Sequence, residues 1–264
     1  MSLPRFALAV IALCAGMLPA QAEPLHVAVA ANFLEPCRQL AEDFTRQSGQ
    51  PVSLSSGSTG AFYAQIRNGA PFHILLAADQ ERPLLLEAGG FAVRDSRFTY
   101  AIGVLVLWSG VAGRLDPASS ETNIAALLAG GAVHHIAIAN PEIAPYGSAA
   151  QQALQALGVW ERVQPLLVRG QDVMQTFNFG VAGGAELAFV PLSLLTGPAG
   201  RTGGSTWQVP SRLHAPIRQD AVLLVKGAQV PGARGFLAYL RSERARRIIQ
   251  SYGYQVDPAP REER

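Results

Sequence analysis

Residues 55–60, SSGSTG, place three serines or their equivalents in hydroxyl chemistry, a threonine and two glycines together with no charged side chain among them. Such a run offers hydroxyl protons and sterically open backbone N–H groups. It lies between a strand-like segment, PVSLS, and a helical pattern, AFYAQIRNG, so these donors sit at a helix start. There the first N–H groups lack intrahelical partners and the helix dipole is positive, which makes a site for an anion. Two further strand-to-helix turns share the character: AVAANF at 28–33 and NPEIAPYGSAA at 140–150. Each taken singly is read as ordinary helix capping, the commonest use of Ser, Thr and Asn. Three facing one cleft would form an anion site built without cationic side chains.

Catalytic chemistry finds less support. The sequence has no G-x-S-x-G nucleophile elbow, no G-x-x-x-x-G-K phosphate loop and no G-x-G-x-x-G fingerprint. His134 and His135 are adjacent at a strand start and so point to opposite faces, which rules out a shared metal. His26, His73 and His214 are isolated. Asp79 follows the strand-like HILLAA, where catalytic carboxylates occur, but it is equally placed to cap the next helix. No catalytic residue and no direct ligand for a metal cation is assigned.

The first 22 residues combine an early arginine, an apolar core and small residues at Ala20 and Ala22, the pattern of a cleaved secretory signal, with the mature chain beginning at Glu23. Cys14 lies within the apolar core after Leu13, where a lipid-anchor signal requires a small residue. Cys37 is then the sole cysteine of the mature chain, so an exported protein relies on its core without an internal disulfide, and about 240 residues suffice for that. An apolar content of 49% and a net charge of +2 describe an ordinary globular protein without the clustered basic charge of a nucleic-acid binder. Lys226 is the only lysine, and the arginines are scattered except at 241–247, which reads as the solvated face of a C-terminal helix.

The elements that would position the hydroxyl turns alternate along the chain. LHVAVA reads as a buried strand, followed by a helix with Phe33, Cys37, Leu40 and Phe44 on one face. The strand–helix unit recurs through PVSLS, FHILLAA, HIAIAN, LLVRG and ELAFV, which predicts mainly parallel sheets covered by helices. YAIGVLVLW at 100–108 and AVLLV at 221–225 read as long strands crossing between two α/β halves, with a cleft at their junction.

AVAANF, residues 55–80, residues 136–193 and the ending 221–254 together resemble the periplasmic molybdate-binding proteins of ABC transporters. The most specific parts are the run NPE.AP.G..A..AL..LG.W and the terminal SYGY, and the resemblance spans essentially the whole mature chain. It implies an α/β, two-lobed type II periplasmic binding protein fold with the ligand cleft between lobes. Lobe 1 would comprise 23–101 plus 220–264, and lobe 2 would comprise 102–219. It also implies a monomer without cofactor that binds molybdate, and tungstate with it, and delivers the anion to a membrane permease.

Carried over by position, the resemblance assigns ligand contacts to Asn32, to Thr59 with Ser58 beside it, to Tyr146 through its backbone N–H, and to Val173 at a further helix start. The sequence departs from the pattern at Pro191, where many members have a ligand-binding tyrosine; proline supplies neither hydroxyl nor N–H. The phenol of Tyr146 is the nearest replacement donor in the sequence. Other readings stay open at this point. They are a receptor for another oxyanion such as sulfate, a receptor for an organic anion, which would call for an arginine in the turns, and an exported hydrolase using Ser58 or Asp79.

Overall fold

A computed structural model describes residues 23–196 and 203–257; the expected signal segment lies outside the described residues. The first half opens with β1 (Leu25–Ala30), a single 3₁₀ turn and α1 (Leu34–Ser48). Cys37, Leu40 and Phe44 of α1 are buried on the face that periodicity predicts. Then follow β2 (Val52–Gly57), α2 (Thr59–Arg67), β3 (Ile74–Leu76), α3 (Glu81–Ala88) and β4 (Phe98–Gly103). The second half contains β5 (Leu105–Ser109), α4 (Glu121–Ala129), β6 (Ile136–Ala139), α5 (Pro145–Ala156), α6 (Trp160–Val163), β7 (Leu167–Gly170), α7 (Val173–Val181), β8 (Leu187–Pro191) and β9 (Ser205–Gln208). The chain then returns through β10 (Ile217–Leu223) to α8 (Ala233–Leu240) and α9 (Glu243–Ser251).

These strands form two five-stranded sheets in the orders β2-β1-β3-β10-β4 and β7-β6-β8-β5-β9. The sheets are mixed rather than mainly parallel. β1 runs parallel to β2 and β3, while β10 is antiparallel to both β3 and β4. In the second sheet β6 runs parallel to β7 and β8, and β5 is antiparallel to β8 and β9. Antiparallel strands enter each sheet because the chain passes between the lobes and back.

Two strand expectations need correction, and one strand was not anticipated. Residues 100–108 do not form one strand, since β4 belongs to the first sheet and β5 to the second, with the break at Val104. Passage between the two sheets thus falls at Val104. The return strand likewise begins before position 220, because Ile217 and Arg218 already pair with Gly103 and Ile102. β9 has no apolar alternation to announce it: of Ser-Thr-Trp-Gln only Trp207 is buried.

Each lobe has its own core. In the first, Val27, Phe33, Leu40 and Ile74 pack with Phe236, Leu237 and Ile249 of the C-terminal helices. In the second, Leu107, Ile138, Leu154, Phe189 and Trp207 belong to one cluster. Helices and strands of α/β units therefore hold the strand-to-helix turns rigidly, and those turns meet at the lobe junction.

Candidate functional site

Four helix starts converge on one small cavity of about 10 Å³ between the lobes, lined by Ala30, Ala31, Asn32, Gly57, Ser58, Thr59, Ala78, Ala144, Pro145, Tyr146, Asp172 and Val173. The first lobe contributes the turn before α1 and the start of α2, and the second contributes the starts of α5 and α7. Asn32, Thr59, Tyr146 and Val173 all lie in first turns, and none of their backbone N–H groups has a hydrogen-bond partner among the described residues. Proline at the first position of α5 removes an N–H that would lack a partner anyway and leaves that of Tyr146 as the next donor. Four unpaired donors and four positive dipole ends meeting at one point favour a small anion.

Two hydroxyls add to these donors. Thr59 Oγ1 accepts the Ala78 N–H at 2.9 Å, and Ser58 Oγ accepts the Ala61 N–H at 3.4 Å as the cap of α2. Both bonds use oxygen lone pairs, so each hydroxyl proton remains free to donate to an anion. No lysine, arginine or histidine lines the cavity, and its one charged lining residue is Asp172. The Asp172 carboxylate accepts the Gln175 N–H at 2.9 Å and caps α7. The site attracts charge through neutral dipoles alone.

All five sequence-derived residues, Asn32, Ser58, Thr59, Tyr146 and Val173, line this cavity. Two side chains do something other than expected. The Asn32 carboxamide donates to Gln219 Oε1 at 2.8 Å and to the Tyr254 hydroxyl at 2.9 Å, which commits both of its protons away from an anion. The Tyr146 phenol accepts from Gln219 Nε2 at 3.2 Å, so it points to the crossover strands and does not replace a donor missing at Pro191. Burial pushes the phenols of Tyr146, Tyr100 and Tyr254 well above the ordinary tyrosine range, so they act as neutral groups. Pro191 is itself the last residue of β8, paired with Leu105. Sequence reasoning missed Asp172 and Ala78 in the lining; the capping position of Asp172 one residue before Val173 was the available signal.

Direct bonds join the two lobes around the cavity. Gly60 N–H donates to Ile143 O at 2.9 Å, and Arg82 Nη2 donates to Glu142 O at 2.7 Å. Asp79 holds that arginine through a 2.5 Å ion pair and accepts the Arg82 N–H at 3.0 Å. Burial raises the Asp79 carboxyl above its usual range, partly offset by Arg82. Asp79 is therefore a helix cap and a brace for an inter-lobe contact, and the reading of it as a hydrolytic residue does not fit these bonds. Ser58 has no histidine or lysine beside it in the cavity lining to act as a base.

A small cavity lined by helix-start N–H groups and hydroxyls between two α/β lobes is the arrangement of a solute-binding protein, with donors suited to an anion. The chain belongs to the bacterial extracellular solute-binding protein family, whose family model matches residues 25–255. It is 47% identical over 247 residues to the molybdate-binding protein ModA of Azotobacter vinelandii, covering 93% of this chain and 96% of that one. It is 43% identical over 248 residues to ModA of Rhodobacter capsulatus, covering 94% of each chain. The solved structure of the Azotobacter vinelandii periplasmic molybdate-binding protein is similar at a TM-score of 0.83 and 40% identity, covering 89% of this chain and 100% of that one.

Proposed function

We infer that this protein is the substrate-binding component of an ABC importer, capturing molybdate, and tungstate with it, in the periplasm and delivering it to a membrane permease. The observation that carries this reading is the convergence of four helix starts and two hydroxyls on one cavity without a cationic side chain. The names of relatives at 47% and 43% identity support the choice of anion. The anion is cargo, and the reading requires no resident cofactor, no nucleic acid and no second copy of the chain.

Neutral, fixed donors also suit selection by size. A smaller tetrahedral anion such as sulfate leaves some donors beyond bonding distance. Each buried hydrogen bond left unmade costs about 1 to 3 kcal/mol, so two such losses separate anions by orders of magnitude. Tungstate is nearly isosteric with molybdate and satisfies the same donors. A fixed cationic side chain would instead attract every oxyanion through charge.

Thermal melts with and without molybdate test the assignment. Binding to the folded state alone stabilises by about 4 kcal/mol at a thousandfold excess over Kd. For a chain of this size that raises Tm by roughly 8 to 16 °C. An unchanged Tm at millimolar molybdate contradicts the assignment.

A further inference from the structure

Behind the cavity, on the side of the crossover strands, a buried carboxamide touches both lobes. Gln219 of β10 is fully buried. Its Oε1 accepts from Asn32 Nδ2 at 2.8 Å and lies 3.1 Å from the Tyr100 hydroxyl, while its Nε2 donates to the Tyr146 hydroxyl at 3.2 Å. Asn32 belongs to the first-lobe turn and Tyr146 to the second-lobe helix start, and both line the cavity. One side chain thus spans two of the four anion-facing turns without lining the cavity itself.

The surrounding backbone is shaped for this bridge. A register shift in the pairing with β4 falls between Gln219 and Asp220, two consecutive residues that are both fully buried. Asp220 turns to Arg97 and Thr99, and Gln219 to the lobe junction. Bulges re-aim side chains in this way. On the neighbouring β4, glycine at position 103, the partner of Ile217, leaves the space that the phenol enters: a Cβ there would collide with the Tyr146 hydroxyl and lie 2.8 Å from Gln219 Nε2. Tyr254 fixes the other side, donating to Asn32 O at 2.6 Å and lying 3.0 Å from Ser193 Oγ of the second lobe.

We propose that Gln219 is a positioning residue that couples the two halves of the anion site, bridging the Asn32 carboxamide of one lobe and the Tyr146 phenol of the other. The bridge aligns the N–H groups of Asn32 and Tyr146 toward one point and is complete only when the lobes are together. Anion binding and lobe closure therefore reinforce each other through Gln219. This inference rests on the anion-binding reading above, and molybdate binding by the parent protein tests that reading separately.

The experiment is a double-mutant cycle on Gln219→Met, Tyr146→Phe and the double variant, reading molybdate affinity by calorimetry and association and release rates by stopped flow. Each single variant is expected to weaken binding about tenfold, mainly through faster release, with association within about twofold of the parent. Because both remove the same bridge, the double variant is expected to lie within about twofold of the weaker single. Parent-like affinity of Gln219→Met, or losses that multiply in the double variant, overturns the proposal. A second measurement uses the parent protein alone: side-chain amide NMR of Gln219 should show contacts to the Tyr146 ring that strengthen on adding molybdate. Contacts of equal strength with and without molybdate overturn the coupling even if Gln219→Met does not fold.

Discussion

Thr59 joins the fold to the site through one oxygen. Its Oγ1 accepts the Ala78 N–H at 2.9 Å, and its own proton is free for the anion. Thr59→Val keeps the shape but removes both bonds. It is expected to weaken molybdate binding by about one to two decades and to destabilise the anion-free protein by about 1 to 3 kcal/mol, since the buried Ala78 N–H loses its acceptor. Thr59→Ser retains the hydroxyl and should bind within a few-fold of the parent. Calorimetry and denaturant melts on the two variants check this; a Thr59→Val protein that binds as the parent does places the anion elsewhere. Residues at helix starts were legible in the sequence because hydroxyls, glycines and proline announce a first turn locally. Gln219 was not, because its partners Asn32 and Tyr146 lie 187 and 73 positions away and a strand glutamine carries no local mark. The directions of the Asn32 and Tyr146 side chains were hidden for the same reason: pairing across the lobe junction decides them.

At the scale of elements, α2 meets the second lobe through Gly60. A Cβ at that position would lie 2.8 Å from Ile143 Cα, backbone that cannot give way without the lobes separating. Gly60→Ala is therefore expected to act in opposite directions on two readouts. Helix propensity favours alanine by up to about 1 kcal/mol, so the anion-free protein should melt no lower than the parent. Molybdate affinity should fall by at least about tenfold, as the bond from Gly60 N–H to Ile143 O is lost. Equal affinity for the two proteins contradicts a closed site at this contact.

The C-terminal helices are attached in a way that composition concealed. The arginine-rich run at 241–247, expected to be only solvated, sends Arg244 to the buried Asp43 of α1 at 2.5 and 2.6 Å, where Tyr239 of α8 also donates at 2.8 Å. The hydrogen-bonded Arg244 guanidinium, aided by Tyr239 and Arg46, holds the Asp43 carboxyl well below the usual carboxylate range despite burial. A folded-state pKa below the unfolded value of about 3.9 gives stability that is present above that value and is lost as pH falls through the folded pKa. Asp43→Asn is thus expected to cost about 1.5 to 3 kcal/mol at neutral pH, the range of one hydrogen bond to a charged group. Melts of parent and variant should stay separated from pH 7 to about 5 and converge below about 4. A gap that is constant down to acid pH contradicts the linkage. Alternation of strands and helices was legible because each element carries its own periodicity, whereas the break at Val104 was not, since an apolar residue between two apolar strands marks no boundary.

At the scale of the whole molecule, two lobes with separate cores close on a cavity that relies on dipoles rather than net charge. Attraction by fixed, buried dipoles at contact distance is screened little by salt, unlike attraction between exposed charges. Affinity for molybdate is expected to change by less than about threefold between 0.05 and 0.5 M salt. The most direct test of the neutral-donor site is a calorimetric titration of the parent protein with molybdate, tungstate, sulfate and phosphate under one buffer condition. Molybdate and tungstate should bind with one-to-one stoichiometry and similar affinity, with sulfate and phosphate weaker by at least about two decades, as two unmade buried hydrogen bonds require. Comparable affinity for all four anions, or no heat with molybdate, contradicts a cavity whose fixed neutral donors select by size.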